Sequence, residues 1–413
     1  MKILFVAMGN SIHLARWISQ INDEGWDIHL FPTESFVEVN DEIKNVKIHI
    51  PWIIRLIVKF YKKRKHVFSQ DSELLYIQKI MPISFAVKEI LRNLISKKNY
   101  KNLNKLIKKI KPDIVHSMHI QEAGYMTLEA KKNFKGKFPV WIVTNWGSDI
   151  DLFRKIPGHR EKISEVLASC DYYSCECKRD IEYARELGFK GKFLSVVPNS
   201  GGIDFKLINS LNTNIPPSQR KVIMLKGYQN WSGRALVGIR ALERCSDILE
   251  GYKIYIFSAE DNIDVKIAAS VFTHDTGIKT VILPNSLKHQ EILKMHGLAR
   301  IYIGLSITDA ISTSMLEAMV MGSFPIQSKT ACVKEWFKNG KTGIMVEPED
   351  PEEVEKAIRI ALLDDSLVDN AAKLNYKMLH ERIEKSKIKE IVLNNYKEIY
   401  NQINLDDSLE RNI

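Results

Sequence analysis

Residues able to do chemistry concentrate in one stretch, residues 301–322, with the sequence IYIGLSITDAISTSMLEAMVMG. A β-branched, apolar run ends at Leu305, a polar loop follows, and Ser312-Thr313-Ser314 leads into a segment with the apolar spacing of a helix. Hydroxyl side chains favour helix starts, and the N–H groups and positive dipole end of such a start attract anions. Asp309 falls in the loop and Glu317 in the early turns of the helix, with seven residues between them. Both carboxylates can therefore face one cleft while touching different parts of a ligand. A surface aspartate followed by a helix-start glutamate that the macrodipole favours has the same spelling, so spacing alone leaves a purely structural reading open.

The elements that must position these groups alternate regularly. Strand-like runs at 3–7, 27–31, 114–117, 141–145, 172–175 and 193–198 are separated by helical periods such as 13–24, 103–111 and 179–186. This alternation predicts βαβ units and a parallel sheet. A polar, proline-containing stretch at 209–219 interrupts it, and strand-like runs resume at 222–225, 253–258, 280–283, 301–305 and 324–327. The fold class is thus α/β, with two doubly wound, Rossmann-like domains in series. A last helix, 387–403, has no strand after it. The length of 413 residues suits two domains. In open sheets of this kind ligands sit beyond the carboxyl ends of the strands, where the Asp309 loop must lie.

With these residues in place, 301–322 resembles the carboxylate-x7-carboxylate signature of the retaining GT-B glycosyltransferases of family 4: Ser306, Asp309, Leu316-Glu317-Ala318-Met319, Gly322 and Pro325 stand at its positions. The resemblance implies that Glu317 binds the ribose hydroxyls of a nucleotide sugar and that Asp309 contacts the donor sugar. It also implies that amides around Ser312, Thr313 and Ser314 hold the diphosphate. Asp309 stands where glutamate is usual, which shortens its reach by one methylene. Residues 224–242, MLKGYQNWSGRALVGIRAL, occupy the place of the family's phosphate loop. Gly227 lets the backbone approach the ligand, Arg234 is the expected phosphate-binding cation and Lys226 the second choice. Tyr228 departs from the arginine usual after that glycine.

In the first domain Met8-Gly9-Asn10-Ser11 resembles the glycine loop that shapes the junction of acceptor and donor, and Gly9 is assigned to the donor side. The segment from Asp113 to His119 resembles the family's strand-end histidine region. His119, beyond the strand, is the expected catalytic imidazole near the donor sugar, and His116 a satisfied, half-buried one. Thr144 to Asp149 and Val197 to Asp204 resemble two further turns of the family. The resemblance implies the GT-B arrangement of two Rossmann-like domains facing across a cleft. Residues 1–205 form the acceptor side, 206–220 the linker, 221–385 the nucleotide-sugar domain, and 386–413 a helix packing back on the first domain.

Charge suggests the partners. The net charge of +10 is uneven: residues 51–70 hold six Lys/Arg and 97–111 seven Lys, without an acid in either, whereas 347–355 hold six acids. Arg55, Lys59, Lys62, Lys63, Arg64 and Lys65 interleave with Trp52, Ile53, Phe60 and Tyr61. That composition suits an anionic bilayer surface, at about 1 kcal/mol per cation near it, although a packed helix with a solvated basic face has the same composition. Nothing resembles a nucleic-acid recognition module, so no nucleic acid is expected. No apolar run is long enough to span a bilayer, and the first residues read as a strand, not a signal peptide. The expected location is cytoplasmic, peripheral at the inner face of the cell membrane. Five cysteines without a CxxC pair predict reduced, buried thiols. Asp149-Ile150-Asp151 spells a DxD but lies in the first domain, so neither a metal nor a cofactor is expected beside the nucleotide-sugar co-substrate.

The resulting expectation is a retaining glycosyltransferase that moves a sugar from a nucleotide diphosphate sugar to a hydroxyl acceptor. A lipid-linked saccharide of cell-surface polysaccharide assembly is the expected acceptor. Three alternatives are weighed. A glycoside hydrolase also uses two carboxylates but gains nothing from a cationic loop at a helix start. A sugar-nucleotide epimerase shares the fold, and a catalytically degenerate partner subunit would account for the departures at Asp309 and Tyr228.

Overall fold

The computed structural model describes residues 1–34, 39–50 and 99–411. The basic stretch with Arg55, Lys59, Lys62, Lys63, Arg64 and Lys65 lies outside the described residues. Alternating strands and helices build two compact units. Met1–Cys175, Ile181–Ser200 and Glu390–Ile413 form the first, and Glu176–Asp180 with Gly201–Lys389 the second.

The first unit holds β1 (Lys2–Ala7), β2 (Asp27–Pro32), β3 (Lys47–Ile48), β4 (Ile114–Met118), β5 (Val140–Thr144), β6 (Tyr172–Ser174) and β7 (Lys192–Phe193), in the order β3-β2-β1-β4-β5-β6-β7. The second holds β8 (Val222–Lys226), β9 (Lys253–Phe257), β10 (Thr280–Ile282), β11 (Ile301–Gly304), β12 (Phe324–Ser328) and β13 (Ile344–Val346), in the order β10-β9-β8-β11-β12-β13. Neighbouring strands run parallel, as βαβ crossovers require. Helices cover both faces, so the central strands read as continuous apolar runs. β1 is buried from Ile3 to Ala7, and Ile223, Leu225, Ile301 and Ile303 centre the core of the second unit.

The sequence pattern and the structure differ mainly at sheet edges. β3 and β13 have two and three residues, too few for a periodic signal. Instead of spanning 193–198, β7 ends at Phe193. Leu194 and Val197 still donate to Tyr173 and Cys175, but Pro198 has no N–H to continue the ladder. The stretch at 209–219 is only partly irregular: Phe205–Leu211 is helical and Pro217–Gln219 forms a 3-10 turn. Among the described residues no helix is long and apolar enough to cross a membrane.

The last helix, Lys385–Arg411, gives the first unit its residues from Glu390 onward. There the buried Tyr396 hydroxyl meets His116 Nδ1 at 2.6 Å and Trp17 Nε1 at 3.0 Å. Tyr396→Phe leaves both groups without that partner, at about 1–3 kcal/mol for each buried group left unpaired. We expect calorimetry to show the transition of the first unit several degrees lower. An unchanged trace would remove this hydroxyl from the stabilising contacts.

Candidate active site

The order of the second sheet reverses between β8 and β11, and such a reversal opens a ligand crevice beyond the strand ends. The two strand exits are joined there backbone to backbone. Arg234 N donates to Leu305 O at 3.1 Å and Ile307 N to Ser232 O at 2.9 Å, and Gly233 and Ser306 form an antiparallel bridge. Asn230 closes the tip of the first loop, its Oδ1 accepting from Ser232 N and Gly233 N at 2.9 Å each. The turn requires glycine at 233, where a Cβ would lie 2.2 Å from Tyr228 O. Gly227 is confined as well, its Cβ position 2.8 Å from Phe257 O.

From β11 the chain passes through the Asp309 loop into the helix Thr313–Val320. Ser312 holds the N-cap position, yet its hydroxyl makes no capping bond. Instead Ser312 and Ser314 approach the buried Tyr302 hydroxyl, at 3.4 and 3.1 Å. A buried phenol needs polar partners, so the first-turn amides are not taken up by Ser312. Asp309 is half-buried; its Oδ1 accepts from Ala310 N at 2.9 Å and its carbonyl from the Arg179 guanidinium at 2.9 Å.

Lys226 ends β8 and is half-buried. Burial works against its charge, but Tyr302, Asp309, Tyr228 and Glu317 around it outweigh burial and hold the ammonium above its ordinary value. Its Nζ lies 4.6 Å from the centre of the Tyr228 ring. The Glu317 side chain is 12% exposed, with Oε1 2.7 Å from His289 Nε2. Arg234 points elsewhere: its Nε donates to Glu349 at 2.8 Å and its Nη1 to the carbonyls of Asn230 and Gly233. Of the two candidate cations, Lys226 is therefore the one whose charge the motif carboxylates favour, while Arg234 contributes its backbone to the loop junction.

In the first unit the sheet reverses between β1 and β4. His119 follows β4 directly with φ 83 and ψ 126, a backbone conformation costing about 1–3 kcal/mol for a residue with a side chain. The surroundings enforce it. His119 N donates to Thr144 O at 2.9 Å, its carbonyl accepts from Gly124 N at 3.0 Å across the π-helical turn Ile120–Gly124, and its Nδ1 accepts from Glu122 N at 3.4 Å. The Trp146 ring lies 5.5 Å from the His119 ring and 5.6 Å from that of His13. Burial lowers the His119 imidazole, against Glu122, which raises it.

Buried Asp149 ties the exits of β4 and β5, accepting from Ile120 N at 3.0 Å and Trp146 N at 2.7 Å. Burial pushes its carboxyl up to about 7 despite those bonds. Gly9 is buried at the exit of β1, its Cβ position 3.2 Å from Val39. His116 is fully buried, not half-buried, and both its ring nitrogens are bonded, Nε2 to Thr144 Oγ1 at 2.7 Å.

Lys226, Gly227, Asp309, Ser312, Thr313, Ser314 and Glu317 thus belong to one strand-end region of the second unit, while Gly9 and His119 lie in the first. Arg179 and His289 went unnoticed in the sequence, because their partners are 130 and 28 residues away. The thiol expectation needs correction at one pair. Cys177 and Cys332, 155 residues apart, form a disulfide with Cα atoms 6.5 Å apart, whereas Cys170, Cys175 and Cys245 are free and buried. Glu176–Asp180 carries Cys177 there: Arg179 bonds the carbonyls of Asp309 and Thr330, and Lys178 N donates to Glu335.

Comparison with known proteins agrees with this architecture. A family described as glycosyl transferases group 1 matches residues 272–378, and one described as glycosyl transferase 4-like matches residues 64–172. No curated protein matches the chain in sequence. Among solved structures, sucrose-phosphate synthase from Thermosynechococcus elongatus is 12% identical with a TM-score of 0.68, covering 97% of this chain and 100% of its own. A glycosyltransferase from Rickettsia africae is 16% identical with a TM-score of 0.64 over 97% of this chain and 98% of its own. Anabaena HepE, solved in complex with UDP-glucose, is 12% identical with a TM-score of 0.64 over 96% of this chain and all (100%) of its own. At these identities the structural likeness establishes the fold.

Two wholly buried imidazoles weaken this fold toward acid, against the raised Asp149 carboxyl, which takes up its proton in the folded state over the same range. His296, between the rings of Phe257 and Tyr302, is pushed down to about 4 by burial, and His116 to about 3 by the same cause. Both are neutral when folded, whereas the unfolded imidazole takes up its proton near 6.5. Below that value the unfolded state binds more protons, so stability present above pH 6.5 is lost as the pH falls toward the folded values. At pH 5 each group costs about 2 kcal/mol. We expect the thermal midpoint to fall between pH 7 and pH 5 and the fall to be smaller in His296→Gln; an equal slope in both proteins would contradict this.

Proposed function

The chain belongs to the family 4-like GT-B glycosyltransferases, and on that premise we propose that a nucleoside-diphosphate sugar binds at the β8–β11 reversal of the second unit. The observation that carries this reading is Lys226, an ammonium kept charged among Asp309, Glu317 and Tyr302 beside a glycine-built loop. In this reading Glu317 takes the ribose hydroxyls. Lys226, with the amides around Ser312, Thr313 and Ser314, holds the diphosphate, and Asp309 meets the donor sugar. Cations and amides fixed in advance stabilise the charge that develops on the leaving group.

We assign the acceptor hydroxyl to the first unit, near Gly9 and His119. In the transfer step the bond from the anomeric carbon to the phosphate oxygen breaks. A bond to the acceptor oxygen forms on the same face, and the departing phosphate oxygen takes the acceptor's proton. Configuration is retained in this scheme. Charge neutralisation is assigned to the side chains and amides, so a chelator is expected to leave the rate unchanged. HepE was solved with UDP-glucose, which makes UDP-glucose the first donor to test. For the acceptor we favour a lipid-linked saccharide of cell-surface polysaccharide assembly, taken up at the inner face of the membrane. The support is the acid-free basic run at 51–70, which includes Arg55, Lys59 and Lys62–Lys65.

Thermal stabilisation by UDP-, GDP- and ADP-sugars identifies the donor, since a ligand at about 100 times its Kd contributes about 2.7 kcal/mol. Glu317→Ala and Lys226→Gln should each weaken that donor by about 10- to 100-fold, the value of a lost charged hydrogen bond. Undiminished binding in both variants would sink the site assignment.

A further inference from the structure

We propose that His289 is a positioning residue for the donor, holding the Glu317 carboxylate in the orientation that receives the ribose hydroxyls. This rests on the assignment of Glu317 to the ribose. His289 opens the helix His289–Leu298, and the start of that helix is itself fixed: Leu287 N donates to Pro284 O at 3.2 Å and Lys288 N to Glu291 Oε2 at 2.8 Å. From this anchored point the imidazole Nε2 lies 2.7 Å from Glu317 Oε1. The Glu317 side chain is 12% exposed and that of His289 46%, so the imidazole meets the covered carboxylate from the solvent side.

Among the described residues two histidines lie near Glu317, and His289 is the one bonded to it. His296, seven residues further along the same helix, is completely buried, and neither ring nitrogen has a hydrogen-bond partner. Burial also keeps it neutral. His289 supplies the bond. A glutamate side chain has several rotatable bonds, and ordering it only when ligand arrives costs free energy of binding. Holding it beforehand removes that cost from the interaction with the two ribose hydroxyls, and from no other part of the ligand. The effect of His289 should therefore appear only with ligands that carry those hydroxyls.

The test measures the affinity of the full chain for UDP, GDP and ADP and for the 2′,3′-dideoxy analogue of whichever binds, in the wild type, His289→Ala, His289→Gln and Glu317→Gln. In the wild type the parent nucleotide should bind about tenfold more tightly than its dideoxy analogue. His289→Ala should lose most of that ratio, by weakening the parent nucleotide while leaving the analogue within about twofold. His289→Gln, which keeps a donor near the same place, should retain it. If His289→Ala weakens both ligands equally, or neither, while Glu317→Gln abolishes the ratio, the positioning role is overturned and the ribose assignment stands. A ratio near one in the wild type, or one untouched by Glu317→Gln, overturns the ribose assignment and this proposal with it.

Discussion

Parallel pairing of Ile301–Ile303 with Ile223–Leu225 sets two strand exits of the second unit side by side. Everything else at this end of the sheet depends on that adjacency. β8 and β11 feed crossovers that leave in opposite directions along the sheet, and such a reversal opens a crevice beyond the strand ends. The loops are then locked by bonds from Arg234 to Leu305 and Ile307 to Ser232, and Gly233 keeps its turn tight against Tyr228. A loop made rigid by its own backbone can present amides and a cation without the entropy cost of ordering them at each encounter.

Within that frame, charge is distributed by burial. Lys226 sits at the base of the junction, with Asp309 and Glu317 raising its ammonium although burial opposes the charge. Arg234 keeps its guanidinium on Glu349, so two cations close in sequence end in different electrostatic surroundings. Arg179 fastens the Asp309 loop from behind through the backbone carbonyl, leaving the carboxylate itself outside that bond. The same burial that strengthens these interactions keeps His296 neutral.

The first unit repeats the topology with a different device. Its reversal between β1 and β4 carries a strained His119, held by bonds to β5 and by the two-amide grip of Asp149. Strain of this kind persists only where neighbours over-determine it. A few residues back on β4, His116 is instead consumed by the structure, bonded to Tyr396 and Thr144. Two imidazoles three residues apart thus divide into a strained strand-end group and a structural one.

Periodicity was enough to identify two parallel α/β units, since strands covered on both faces must be continuously apolar and helices must show a 3.6-residue period. It missed the short edge strands β3 and β13 and overextended β7, which ends at Phe193. The motif around Asp309 and Glu317 was legible because its parts are neighbours in the chain, joined by one loop and one helix. The partners of those parts were not. His289, Arg179 and the Cys177–Cys332 pair reach this region through other segments, and nothing in local spacing encodes such a meeting. The sequence by itself therefore determined the layers, the loop–helix signature and the family. Only the tertiary structure decided which cation stands among the carboxylates and which histidine reaches Glu317, because side-chain direction and burial are properties of packing between elements remote in sequence.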